Sequence, residues 1–302
     1  MSREADREPD EPDREAGRFV CVGDQRWHVL DRGQGPILLL LHGTGASAHS
    51  WDDLATLLAR DFRVVAPDLP GHGSTALVSA AQASLPGMAQ ATAALMRHLR
   101  VSPALVIGHS AGAAILARMC LDGAIEPRGL VSLNGALLPL RGIPGHLFAP
   151  AARLLAGIPV VPGLFARRAR DRRLVDRMVR QTGSRLSPAA VDRYWRLLRS
   201  PSHVRAALQM MAHWDLEPLA RELRRLPCPL YLVTCENDHA VPPSEARRVR
   251  AMVPEARLMP ISGLGHLGHE EDPELFASMV RSIVGEREAA EKAQGRVDRE
   301  GM

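Results

Sequence analysis

Four short apolar runs recur along the first half of the chain: "PILLLLHG" (36–43), "FRVVAPDLPG" (62–71), "PALVIGHS" (103–110) and "GLVSLNGA" (129–136). None alternates apolar with polar positions, so each predicts a strand covered on both faces. Helical periodicity fills the intervals, over Ser50 to Arg60, Leu85 to Leu99 and Ala111 to Leu121. Strands joined by helices predict a mostly parallel sheet with helices on both sides. Ahead of them, "GRFVCVGDQRWHVLDRG" (17–33) does alternate and turns at Gly23-Asp24, which predicts an antiparallel hairpin. Two further strands, "CPLYLVTCEND" (228–238) and "ARLMPISGLGH" (256–266), come much later. Between Leu138 and Met211 the strand rhythm stops, and helical spacing runs from Leu164 to Gln181 and from Pro188 to Arg199. The expected organisation is a core of residues 18–137 and 212–285, interrupted by a helical cap over 138–211. Such a cap lies over the carboxyl ends of the strands, where open α/β sheets bind ligands.

Composition narrows this picture only a little. Of 302 residues, 46% are hydrophobic, enough for a sizeable core. No apolar run approaches the roughly 20 residues that a membrane span needs. Residues 1–17 are charged and read as a disordered lead rather than a targeting peptide, which makes the cytoplasm the expected location. Residues 286–302 read as a flexible tail or an extension of the last helix. The net charge of +4 comes from arginines spread along the chain, with Lys292 the only lysine, and this does not point to nucleic acid. Cys21, Cys120, Cys228 and Cys235 show no paired spacing and are expected as buried free thiols.

The chemistry starts at "GHSAG" (108–112), where a strand runs directly into a helix with Ser110 at the junction. A serine on so tight a turn needs small neighbours, which Gly108 and Gly112 supply, and the turn lifts its hydroxyl above the sheet. A nucleophilic serine needs a base, and the base needs an orienting acid. The late strands offer both: Asp238, with Glu236 as runner-up, and His266, with His269 as competitor three residues on. Asp272 and Pro273 read as the N-cap and first turn of the last helix, so His269 is expected beside that helix rather than in the site. Asn134, after the strand at 129–136, lacks the carboxylate that would hold a base. The oxyanion donors are expected to be the backbone N–H groups of Ala111 and of Thr44, with Gly45 next after Thr44. His42, Gly43, Gly45, His109 and Trp214 are expected around the pocket. "DLPGHGST" (68–75) resembles no phosphate loop and reads as scaffold. His266 and His269 alone are too few for a metal site, and no cofactor is called for.

Together these residues resemble the α/β-hydrolase superfamily over about Arg18 to Val284, with the motifs in the expected order. The resemblance implies an α/β-hydrolase fold and a Ser-His-Asp triad. Ser110 stands where the haloalkane dehalogenase and epoxide hydrolase branches carry aspartate. "HGTGAS" is similar to the loop of carbon–carbon bond hydrolases but lacks their fuller Gly-Pro-Gly pattern. More particular stretches, "LLLLHGTGASAHSW", "SLPGMA", "GHSAGAAILARMCLDG", "VSLNGALLP", "MMAHWDLEPL" and "CENDHAVPPSEARRV", resemble the magnesium-chelatase accessory proteins of bacteriochlorophyll biosynthesis. That resemblance implies a place near magnesium insertion in photosynthetic bacteria but supplies no reaction.

Three readings follow. The first is a serine hydrolase for an ester or related acyl group on an apolar or tetrapyrrole substrate, with a general carboxylesterase or a carbon–carbon bond hydrolase as variants. The second is a non-catalytic accessory that binds porphyrin or chelatase subunits through cap arginines (Arg167, Arg168, Arg170, Arg172, Arg173, Arg177 and Arg180). The third is peripheral membrane contact through "GIPGHLFAPAARLLAGIPVVPGLFARRAR" (142–170), which is apolar and then basic; a hydrophobic lid explains that stretch equally well.

Overall fold

A computed structural model describes residues 17–139 and 160–300. Residues 1–16 of the expected lead and 140–159 of the expected cap therefore lie outside the described residues. The hairpin forms as β1 (Arg18–Val22) and β2 (Gln25–Arg32), joined at Gly23-Asp24. The apolar runs become β3 (Ile37–Leu41), β4 (Arg63–Pro67), β5 (Leu105–His109), β6 (Leu130–Leu133), β7 (Leu230–Cys235) and β8 (Arg257–Ile261). They build one eight-stranded sheet in the order β1-β2-β4-β3-β5-β6-β7-β8. The β1–β2 and β2–β4 pairs are antiparallel, and every other pair is parallel. This is the mostly parallel sheet that the strand pattern predicts.

Helices α1 (Asp52–Leu58), α2 (Leu85–Leu99) and α3 (Ala111–Leu121) connect the early strands. Serine at the start and a left-handed residue at the end bound α2: Ser84 Oγ accepts the Gly87 N–H, and Arg100 closes the helix at φ 53°. The sheet separates two layers of core. Leu39, Leu41, Val65 and Val106 join α2 and α3 on one face. Leu38, Leu40, Val64 and Ile107 join α1 on the other, with Trp51 and Phe276. Leu38 to Leu41 are all fully buried, worth roughly 1.5–3 kcal/mol each. This two-sided burial explains the absence of alternation in the sequence.

The cap contains α4 (Val160–Arg168), α5 (Arg172–Gln181), α6 (Pro188–Leu198) and α7 (Pro201–Ala212). The helical pattern from Leu164 to Gln181 is thus two helices. Asp171 divides them because its carboxylate takes the Arg173 N–H and starts α5. Ser187 and Ser200 cap α6 and α7 in the same way, each followed by proline. Ala169, Val175 and Val191 form a small separate core here, covered by Tyr194 and Trp195. After the short α8 (Glu217–Glu222) the chain returns to β7, α9 (Pro243–Met252) and β8. It ends with α10 (Gly268–Glu271) and α11 (Pro273–Glu300). Helix α11 runs through the stretch expected as a flexible tail, realising the helical extension instead.

All four cysteines are free, but they are not uniformly buried: Cys120 and Cys235 are, Cys228 is half-buried and Cys21 is exposed. Cys21 lies on β1, an edge strand whose outer face has no covering layer. Among the described residues, no helix is long and apolar enough to cross a membrane, and no three His, Cys, Asp or Glu side chains group as metal ligands.

Candidate active site

Sheet topology decides where the site sits. From β3 the chain steps to β4 on one side, then returns to β5 on the other. Loops leaving neighbouring strands in opposite directions open a crevice at their carboxyl ends. The loops after β3 and β5 carry Thr44 and Ser110.

Ser110 has φ 52° and ψ −117°, a left-handed conformation rare for a residue with a side chain. Holding it there costs about 1–3 kcal/mol, which the surrounding backbone must offset. The Ser110 N–H donates to Leu133 O at 3.0 Å, and its carbonyl accepts from Ala113 and Ala136 at 3.2 and 3.0 Å. The flanking glycines are needed for close approach. A Cβ on Gly112 would stand 2.2 Å from Leu41 O, and one on Gly108 would stand 2.4 Å from the Ala113 backbone. The sharp turn thus exists because its neighbours have no side chains.

Asp238 and His266 meet. His266 Nδ1 lies 2.8 Å from Asp238 Oδ2, and the Asp238 carboxylate is fully buried. Asp238 Oδ1 accepts the N–H groups of Ala240 and Val241, both at 2.8 Å. These two bonds fix the carboxylate that faces the histidine. The carboxylate accepts His266 Nδ1–H, so Nε2 is the ring nitrogen turned away from Asp238. Glu236 is exposed, and its carboxylate accepts from Gly263 N–H instead.

His109 lies beside the turn, with its ring 4.6 Å from that of His266 and its Nε2–H donating to the His266 carbonyl at 2.9 Å. Burial, reinforced by the neighbouring His266 and His269, holds His109 well below the usual imidazole range. It therefore stays neutral and adds no charge against His266. Asn134, at φ 46°, donates to Gly265 O and His266 O and accepts from Cys235 N–H. Asn134, which has no carboxylate, thus anchors the loop that carries His266. His269, expected to flank the last helix, is buried within α10, between His109 and Trp51 with ring separations of 4.6 and 4.5 Å. Burial pushes it down to about 3, so it is a neutral core residue.

On the β3 loop, a Cβ on Gly43 would lie 2.9 Å from Ser110 Cβ, so this backbone rests against the Ser110 turn. His42 is fully buried; its Nδ1–H donates to Gly43 O at 2.8 Å and its Nε2 accepts Leu69 N–H at 3.0 Å. Burial holds it down to about 4. His42 is thus a brace beneath the loop. Ala111, as the first helical residue, has an N–H with no intrahelical acceptor. Asp68 in "DLPGHGST" accepts from Ala48 and Ser74 N–H and pairs with His28, consistent with scaffold.

The cap supplies contacts that sequence reasoning missed. Thr182 O accepts N–H bonds from both His239 and His266, and Ser184 Oγ accepts from Leu267 N–H at 2.8 Å. These residues, just past α5, tie the loops of Asp238 and His266 together. A Gly between Thr and Ser ("TGS") was the one available signal, and it is too common to be read alone. Tyr194 on α6 donates to Glu270 at 2.5 Å, fastening the cap to the base loop from another side. Trp214 packs against the core layer that holds α2 and α3. A cleft of about 700 Å³ lies between the loop 71–80 and α7, with Ser74, Leu77, Arg205 and Gln209 in its walls; Ser110 is not among them.

Comparison with known proteins agrees with this fold. The model of the Alpha/beta hydrolase family matches residues 38–279. A magnesium-chelatase 30 kDa subunit from Rhodobacter capsulatus is 39% identical, over 89% of this chain and 94% of its own. A 2-hydroxy-6-oxo-6-phenylhexa-2,4-dienoate hydrolase from Burkholderia cepacia is 26% identical, over 86% and 93%. A thermophilic esterase from Thermogutta terrifontis shares the fold with a TM-score of 0.72, at 21% identity over 90% and 99% of the two chains. With Ser110 on its strained turn at the switch point of such a sheet, and with this match over most of its length, the chain belongs to the alpha/beta hydrolase family.

Proposed function

We propose that this protein is a cytoplasmic serine hydrolase for an ester or related acyl group, working beside the magnesium-chelatase step of bacteriochlorophyll biosynthesis. The observation that carries the reading is the buried Asp238–His266 pair, at 2.8 Å, beside the strained turn of Ser110. In this reading Ser110 Oγ attacks the acyl carbon while His266 Nε2 takes its proton. Asp238 keeps the ring in the tautomer with a proton on Nδ1 and stabilises the cation that forms. The N–H groups of Ala111 and Thr44 hold the oxyanion. His266 then returns the proton to the leaving group, and water releases the acyl group by the same steps. No cofactor enters. The similarity to the magnesium-chelatase 30 kDa subunit supports the pathway; the arrangement of Ser110, His266 and Asp238 supports the chemistry. Folded protein treated with a fluorophosphonate probe is expected to carry label on Ser110 alone. An unlabelled Ser110 would sink the reading.

A second reading has its own support. Arg167, Arg168, Arg170, Arg173 and Arg177 on the cap are exposed, and no ion pair involving them occurs among the described residues. Arg172 and Arg180 are partnered by Asp192 and Asp176. A row of free guanidinium groups suits porphyrin carboxylates or an acidic chelatase surface. Complementing a deletion strain with Ser110→Ala separates the two. Loss of pigment with folded variant protein is expected from catalysis, and full rescue would establish binding as the role.

A further inference from the structure

We infer that His203, on cap helix α7, is a positioning residue for the oxyanion site. The inference rests on the hydrolase reading of Ser110 and adds a control exerted from the cap.

The donor loop is a four-residue turn. Ala46 N–H donates to Gly43 O at 3.2 Å, and Gly45 sits at the third position with φ 78°. Thr44 has no positive φ, so the turn is type II, which favours glycine at that third position. A trans peptide is planar, with its C=O and N–H pointing in opposite directions. His42 and Ala46 both hold Gly43 O, and so they aim the Thr44 N–H the other way. The far end of the turn is held from the cap. His203 Nε2–H donates to Gly45 O at 3.1 Å, and its Nδ1 accepts Gly73 N–H at 3.2 Å. The two bonds together assign the tautomer.

Helix α7 touches the turn a second time. Thr44 Oγ1–H donates to Met210 Sδ at 3.4 Å. Positions 203 and 210 are seven apart, two helical turns, and so lie on one face. Between them Ala206 packs on the next loop, where a Cβ on Gly71 would lie 2.3 Å from Ala206 Cβ. The His203 ring meets His72 edge-on at 5.3 Å, and His72 tilts against His42 at 5.4 Å. Three buried rings thus run from the cap to the base of the donor loop. None of them touches the reacting atoms. They set the direction of the donor, and a misplacement of about 1 Å in such a group costs on the order of 10²-fold in rate.

The test uses full-length protein, p-nitrophenyl acetate as the ester, and a fluorophosphonate to count active sites. Per labelled site, His203→Ala is expected to lower kcat by about 10- to 100-fold with KM changed by less than about threefold. His203→Gln, whose amide can both donate to Gly45 O and accept from Gly73 N–H, is expected to recover most of the loss. Hydrogen exchange over residues 43–50 is expected to quicken in the alanine variant and return with glutamine. A purely structural role would lower the number of labelled sites and leave kcat per site unchanged. An unchanged kcat per site, or glutamine no better than alanine, would overturn the inference. If wild-type protein neither labels nor hydrolyses the ester, the hydrolase reading itself fails, and unchanged exchange in His203→Ala would separately remove His203 from control of the turn.

Discussion

Asp238→Asn is expected to slow both fluorophosphonate labelling and ester hydrolysis by about 10³- to 10⁴-fold while the protein stays folded. Asparagine fills the same volume, and its Oδ1 can still accept the Ala240 and Val241 N–H groups that fix the loop. The change falls on the other atom. Where Oδ2 faces His266 Nδ1 at 2.8 Å, asparagine presents an N–H donor. A donor there favours the tautomer with its proton on Nε2, and that tautomer cannot take a proton from Ser110. The carboxylate's stabilisation of the imidazolium disappears as well. The informative comparison is Glu236→Gln, two residues away yet exposed and bonded to Gly263, which should leave the rate within about threefold. Rates of Asp238→Asn within tenfold of wild type would remove Asp238 from the mechanism.

The second large effect concerns stability. Burial pushes the Glu270 carboxyl up to about 8, against the pull of the Tyr194 hydrogen bond and Arg193. The folded protein therefore keeps a proton that the unfolded chain releases near 4.5. Stability from this group is lost as pH rises from about 4.5 towards 8. The buried histidines act in the opposite direction. His42 and His269 are held down to about 4 and about 3, so they make the fold more stable as pH rises towards 6.5. Between 6.5 and 8 Glu270 still titrates while the buried histidines His42, His72, His109, His203 and His269 complete their gain, so the Glu270 contribution is read as the difference between wild type and Glu270→Gln. Relative to that variant, wild type is expected to decline by about 2 kcal/mol across the interval. Tyr194, His269, Arg193, Asp52 and Asp53 are the groups that face or act on Glu270. Glu270→Gln reproduces the protonated carboxyl and still accepts from Tyr194, so it should abolish the decline and be more stable than wild type at pH 8. Urea midpoints at pH 6.5 and 8 measure this. Equal changes in wild type and variant across the interval would assign the decline elsewhere.

Much of the core is legible from local pattern. The runs that became β3 to β8 and the helices at 85–99 and 111–121 need only side-chain periodicity and turn chemistry, which act within a few residues. Ser110 is legible for the same reason: strand, glycine, serine and helix are contiguous, and sterics alone force the turn. The cap was less legible. Its break at Asp171 depends on one side chain capturing one N–H, and a helical pattern continues across it. Cys21 was expected buried and is exposed, because exposure depends on which elements lie over a residue and not on its neighbours in the chain.

The sequence by itself determined the order of strands and helices, the position of the tight turn at Ser110, and the short set of residues that could act with it, since each of these follows from covalent neighbours. Only the tertiary structure decided which acid meets His266. Glu236 and Asp238 share one loop, and the Ala240 and Val241 N–H groups turn Asp238 inward while Gly263 draws Glu236 outward. It also decided that Thr182, Ser184, His203 and Met210 brace the site from the cap. Those contacts join residues up to 166 positions apart, and no local pattern records a hydrogen bond that exists only once the chain has folded back on itself.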